Sequence, residues 1–109
     1  MEYLVSRGYN NFNALIVGAG KVGLALAQEI KKRPGLGIKI IGFLDDAKVA
    51  SPDHPEIKIL GKISSFSGIV QREFVNKIFI TIHHDSNVFL RLLEQAREMG
   101  VAVRVVPHG

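Results

Sequence analysis

The chain of 109 residues contains no cysteine and no tryptophan. Without a thiol it can build no disulfide framework, no thiolate metal site and no cysteine nucleophile. Aromatic residues make up only 7%, so the core is expected to be aliphatic. No run of about 18 apolar residues occurs, the length a helix needs to cross a bilayer. The first residues lack the apolar stretch of a signal peptide. No nucleophile elbow is present, and no segment repeats. These absences remove most classes of complete active site.

Hydrophobic residues at 47% and charged residues at 22% describe a globular domain rather than a disordered one. A length of 109 residues fits one domain. The formal charge is +4 and the isoelectric point near 9.6. The tight basic cluster Lys31-Lys32-Arg33 falls at the end of a predicted helix, where cations complement the helix dipole. No aromatic residues interleave with it as a base-stacking platform would need, so nucleic acid is not an expected partner. An anionic ligand or a membrane surface is the better use of the excess charge.

The chain is organised around Ala14-Leu15-Ile16-Val17-Gly18-Ala19-Gly20-Lys21-Val22-Gly23. Apolar residues run straight into Gly-x-Gly-x-x-Gly, and a helix-period segment through Ala25, Leu26 and Ile30 follows. That order predicts a buried strand, a tight turn and a helix start. Gly18 is expected in a conformation closed to residues with a Cβ. Gly20 leaves room for a phosphate to approach the main chain, and Gly23 lets the helix sit close. The helix N-terminus offers unpaired N–H groups and a partial positive charge.

Further strands are predicted over 38–44, 57–60, 77–82 and 101–106, and further helices over 64–74 and 87–99. Ser64 or Ser65 is expected to cap the short helix, and Asp85-Ser86 the long one. Gly100 sits where a C-cap glycine belongs. The alternation predicts an α/β, Rossmann-like three-layer sandwich: a five-stranded parallel sheet with helices on both faces, in the order 3-2-1-4-5. Residues 1–11 read as a leader and 12–109 as the domain.

In such a sheet, ligands bind at the carboxyl ends of the strands where the order reverses. Gly18, Gly20, Lys21, Val22 and Gly23 are expected on one side of that crevice, and His83, His84 and Ser86 on the other. Asp45 and Asp46 close the second strand, 27 and 28 residues after Gly18. Asp45 stands where a Rossmann domain keeps its ribose-binding acid, or else the pair begins a turn. An acid there disfavours a 2′-phosphate, hence NADP. Lys21 either pairs with a phosphate or is a solvated first-turn lysine. His83 and His84 point to opposite faces, so a shared metal is not expected. One of them meets the ligand, or both simply close the strand.

The residues Ala14-Leu15-Ile16-Val17-Gly18-Ala19-Gly20, Ile40-Ile41-Gly42-Phe43-Leu44-Asp45-Asp46, Ile59-Leu60-Gly61 and Val101-Ala102-Val103-Arg104-Val105-Val106-Pro107 occur in one order. The set resembles the Rossmann-like, CoA-binding-like domain of bacterial polyprenyl-phosphate sugar phosphotransferases. Related domains precede the dehydratase and epimerase part of other polysaccharide enzymes. The resemblance runs from about Tyr9 to Pro107. It implies a domain on the cytoplasmic face of the inner membrane, set between transmembrane helices and a catalytic domain. That catalytic domain transfers sugar phosphate from a nucleotide sugar to a lipid phosphate. The present chain would be a fragment of such an enzyme, attached to the membrane through other parts. One departure stands out. Family members commonly carry small residues, Pro and Ser where this chain has His83-His84-Asp85.

The leading expectation is an accessory nucleotide-binding or regulatory domain that is not itself catalytic. NAD, CoA and a nucleotide sugar are its candidate ligands. A second reading is an interaction module whose glycine turn is a relic. A fragment of an NAD-dependent oxidoreductase ranks last, because 109 residues leave no room for a substrate domain. A weak homodimer through a sheet edge or the short helix is also expected.

Overall fold

The computed structural model describes residues 12–83 and 86–107. Its strands are β1 (Phe12–Val17), β2 (Ile38–Leu44), β3 (Ile59–Gly61), β4 (Lys77–Ile80) and β5 (Ala102–Val105). Its helices are α1 (Lys21–Lys31), α2 (Phe66–Glu73) and α3 (Asn87–Glu98), with short 3₁₀ turns at Pro34–Leu36 and Ile63–Ser65. All strand pairs are parallel and the order is β3-β2-β1-β4-β5. The architecture is the Rossmann-like sheet the sequence predicts.

Alternation along β1 assigns the two faces. Leu15 and Val17, both fully buried, join Leu44, Ile78 and Ile80 beneath α2 and α3. Ala14 and Ile16 turn the other way and pack with Phe43, Phe79 and Ile30 of α1. β1 is therefore apolar on both faces, as a central parallel strand must be. Phe66, fully buried, anchors α2 to the larger cluster, and Phe89, Leu92 and Ala96 anchor α3. Burying such side chains contributes about 1.5–3 kcal/mol each.

Several predicted boundaries move. β4 ends at Ile80 rather than Ile82, and the third strand is Ile59–Gly61 rather than 57–60. On α1 the buried positions are Gly23 and Ile30, and Ala25 faces solvent. Neither Ser64 nor Ser65 caps the short helix. Ser65 makes no capping hydrogen bond, and Asp46 Oδ1 instead accepts the Ile63 N–H at 2.9 Å. A carboxylate from the far end of β2 reaches that turn, which no local signal announces. Gly100 does take a left-handed conformation, with φ 70°.

A loop rather than a helix joins β2 to β3. The sheet face beneath α1 is thus covered by one helix, and a hollow of about 490 Å³ lies over β2 beside Ala27, Ile30 and Pro34. The glycine turn is not part of it.

Candidate functional site

Strand β1 ends in Val17, and the chain then reverses into α1. Gly18 has φ 107°, a region that L side chains avoid, and a Cβ there would collide with the Thr81 hydroxyl. At Gly23 a Cβ would run into the Gly18 carbonyl, with Ile16 Cγ2 close behind. Helix and turn therefore touch backbone to backbone. Gly20 differs from both. Its backbone is extended, and nothing lies within 4 Å of where a Cβ would stand.

The first helical hydrogen bond of α1 is Leu24 N–H to the Gly20 carbonyl at 2.9 Å. The amides of Lys21, Val22 and Gly23 precede it, and no side chain caps them. Three N–H groups at a positive helix end, beside an open glycine, form an arrangement that suits a phosphate. Lys21 lies exposed at the rim, with no ion pair among the described residues.

The opposite wall comes from the end of β4. Thr81 is buried, donating its hydroxyl to the Val17 carbonyl at 2.8 Å and its N–H to the same oxygen at 3.0 Å. These two hydrogen bonds to the Val17 carbonyl hold the two strand ends together at the point where they part. Gly18, Gly20, Lys21, Val22, Gly23, Asp45, Thr81, Ile82 and His83 together line a crevice of about 340 Å³.

Asp45 closes the crevice from the β2 side. Its Oδ2 accepts the Ala19 N–H at 2.7 Å, and its Oδ1 accepts the N–H groups of Ala47 at 2.8 Å and Lys48 at 2.7 Å. Lys48 Nζ donates to the Ala19 carbonyl at 2.6 Å. Asp45 and Lys48 thus grip both polar groups of the residue between the two leading glycines. Partial burial pushes the Asp45 carboxyl up. The N–H donations from Ala19, Lys48 and Ala47 and the Lys48 charge outweigh that and hold it below the ordinary value. A carboxylate has about four lone-pair positions, and three are used here, leaving capacity for one further donor. Asp45 therefore begins a turn, as one of the two sequence readings has it, and also lines the crevice.

The remaining predicted residues separate. Asp46 turns away to Ile63 and lines an adjoining hollow of about 160 Å³ with Lys48, Val49, Leu60 and Lys62. Ser86 caps α3, accepting the Phe89 N–H at 3.1 Å, and its hydroxyl donates to the His83 carbonyl at 3.2 Å. It does not line the crevice. His84 and Asp85 lie outside the described residues. No group of three metal-ligating side chains occurs among the described residues.

Thr81 and Lys48 belong to the site and escape the sequence reading. Thr81 falls inside a strand predicted to continue to Ile82. Its signal is being the lone hydroxyl in the run Ile78–Ile82. Lys48 sits in a loop without a motif.

A family model described as a CoA-binding domain matches residues 2–107. The chain belongs to the CoA-binding domain family. Within that family the resemblance to sugar-phosphate transferases has a counterpart. The chain is 24% identical over 101 residues to a UDP-glucose:undecaprenyl-phosphate glucose-1-phosphate transferase of Klebsiella pneumoniae. That match covers 92% of this chain and 21% of the enzyme, so the CoA-binding domain spans about a fifth of its relative. Two solved structures share the fold. One is RSP, a Rex-family repressor, with TM-score 0.71 and 17% identity, covering 92% of this chain and 47% of that one. The other is RSP in complex with β-NADH, with TM-score 0.73 and 15% identity, covering 98% and 51%. In both the likeness is one of fold. The CoA-binding domain is thus a Rossmann-like domain. No helix among the described residues is long and apolar enough to cross a membrane.

The family description implies CoA as ligand, and the glycine turn bears on the fit. The open space over Gly20 and the amides of Lys21, Val22 and Gly23 suit the diphosphate that CoA shares with NAD and with nucleotide sugars.

Proposed function

We propose that this CoA-binding domain holds a nucleotide by its diphosphate in the crevice between β1 and β4, without catalysing a reaction itself. The carrying observation is the glycine turn. Gly20 is open, no side chain caps the first three amides of α1, and Asp45 and Lys48 bond both polar groups of Ala19 in the turn. A pre-shaped anion cradle costs little ordering when the ligand arrives. The nucleoside half would lie beyond Asp45, in the adjoining hollow beside Lys48 and Val49. The parent role we propose is regulatory. The domain would sense a nucleotide for a membrane sugar transferase of exopolysaccharide or O-antigen synthesis, on the cytoplasmic face of the inner membrane. The Klebsiella transferase and the NADH complex of the Rex-family repressor support this reading.

Thermal unfolding of the 109-residue chain against CoA, NAD, NADH, UDP and UDP-glucose tests it. A ligand at 100 times its dissociation constant stabilises by about 2.7 kcal/mol. At least one of the five is expected to raise the melting temperature. If all five leave it unmoved, the crevice is a relic and the interaction-module reading replaces this one.

A further inference from the structure

The crevice lies at the strand-end side of the sheet. The opposite side, where strands begin and helices finish, carries the charge. Among the described residues, the last turns of the helices, the loops after them and the first two residues of each strand hold seven cations against three carboxylates. Two of those carboxylates are taken internally: Glu29 pairs with Arg33 at 3.3 Å and Glu73 with Arg72 at 3.2 Å. Lys31, Lys32 and Lys39 project exposed, with no ion pair among the described residues. At the crevice end Lys21, Lys48, Lys62 and Arg91 stand with Asp45 and Asp46, while Lys58 and Glu56 share the hollow beside Lys31 and Lys39 and cancel each other. Among the described residues the strand-start end therefore carries four more cations than carboxylates. Helix dipoles explain Lys31, Lys32, Arg33, Arg72 and Arg97, and Lys77 Nζ lies over the Phe12 ring at 4.6 Å, but neither explains Lys39 on its strand.

A second observation falls on the same end. Phe74, at the end of α2, has φ 56° and is 79% exposed. A phenylalanine in the left-handed region is strained, and an exposed one recovers nothing by burial. Glycine is the residue that usually ends a helix in this conformation. Phe74 closes its helix with an N–H bond to the Val70 carbonyl, and its own carbonyl accepts Asn13 Nδ2 at 3.1 Å beside the start of β1. On the other side of β1, Phe12 N–H meets the Gly37 carbonyl at 3.0 Å, next to Leu36, which is 49% exposed. Exposed apolar side chains thus flank the centre of a basic surface.

We propose that this strand-start end of the domain docks on an anionic lipid bilayer, with Phe74 entering the interface and the lysines lying over acidic headgroups. Interfacial binding combines these two elements, apolar insertion and attraction between cations and acidic lipids. The geometry also leaves the crevice, at the opposite end, facing away from the membrane and open to nucleotides. The proposal stands apart from the crevice reading, and each can fail alone.

The test is co-sedimentation of the 109-residue chain with vesicles of phosphatidylcholine alone and of phosphatidylcholine mixed with phosphatidylglycerol. Binding is expected to the mixed vesicles only, and to vanish near 1 M salt, where charges are screened beyond about 3 Å. The double substitution Lys31→Ala, Lys32→Ala should weaken binding about thirtyfold, since each basic residue near an anionic surface strengthens it about fivefold. Phe74→Gly separates docking from folding. It relieves the left-handed strain, so its melting temperature should stay level or rise by a few degrees while vesicle binding falls. No binding to mixed vesicles overturns the proposal. So does binding that survives both variants, or that is outcompeted by an RNA oligonucleotide at equal phosphate concentration.

Discussion

At Asp45 one carboxylate receives three backbone N–H groups, and one of them belongs to the glycine turn on another strand. This has a consequence in pH. The folded-state carboxyl is held below its usual value of 3.8, chiefly by N–H bonds that outweigh its burial. A depressed carboxyl contributes stability that is present above the unfolded value and is lost as pH falls through the folded one. Wild type should therefore lose stability more steeply below about pH 4 than Asp45→Asn does. At pH 7 the variant should be less stable, by about 1–2 kcal/mol for the weakened bonds. Urea unfolding at pH 7 and pH 3 checks both statements. Equal losses in the two proteins on acidification would show that Asp45 is not the group responsible.

At the scale of elements, Asp46 does for α2 what no serine does. It accepts the Ile63 N–H at the head of the 3₁₀ turn that leads into the helix. Asp46→Ala should cost about 1 kcal/mol, the usual effect of losing a cap, and lower the melting temperature by about 4–8 °C. Any ligand-induced shift should shrink as well, because Asp46 also lines the hollow proposed for the nucleoside half. The same residue marks where sequence reading ends. β2 was legible to the residue and so was the end of β1, since apolar runs ended by Gly18 and Asp45 are local signals. Phe66, Ile69 and Val70, and Phe89, Leu92 and Ala96, recur at helical spacing, so the buried faces of α2 and α3 are local signals too. The Asp46 cap, the Thr81 tie to Val17 and the Lys48 grip on Ala19 were not legible. Each joins residues 17 to 64 positions apart, and no local pattern encodes a partner that only the folded sheet brings near.

At the scale of the whole molecule, the domain has one crevice at the strand-end side and nothing in it that completes a reaction centre among the described residues. The chain alone is expected to show neither sugar-phosphate transfer from UDP-glucose to a polyprenyl phosphate nor oxidation of alcohols with NAD. Product formation above a protein-free control, by radiolabel transfer or by absorbance of NADH, would contradict the non-catalytic reading. The order of strands and the position of the crevice follow from the element alternation alone, so this scale was the most legible. The ligand was not, because a glycine turn recognises a diphosphate and is blind to what hangs from it.

The central claim is that the turn holds a diphosphate at Gly20, and two glycine substitutions test it together. Gly20→Val places a side chain in the open space over the turn, where it meets no protein atom. Gly23→Val drives one into the Gly18 carbonyl and should lower the melting temperature of the ligand-free domain by about 10 °C, for roughly 2 kcal/mol of overpacking. The decisive measurement is the thermal shift of wild type and Gly20→Val with whichever of CoA, NAD, NADH, UDP and UDP-glucose stabilises wild type. The account predicts an unchanged ligand-free melting temperature in Gly20→Val and a ligand shift reduced to nothing. A Gly20→Val domain that is stabilised as strongly as wild type would place the ligand elsewhere and contradict the assigned site.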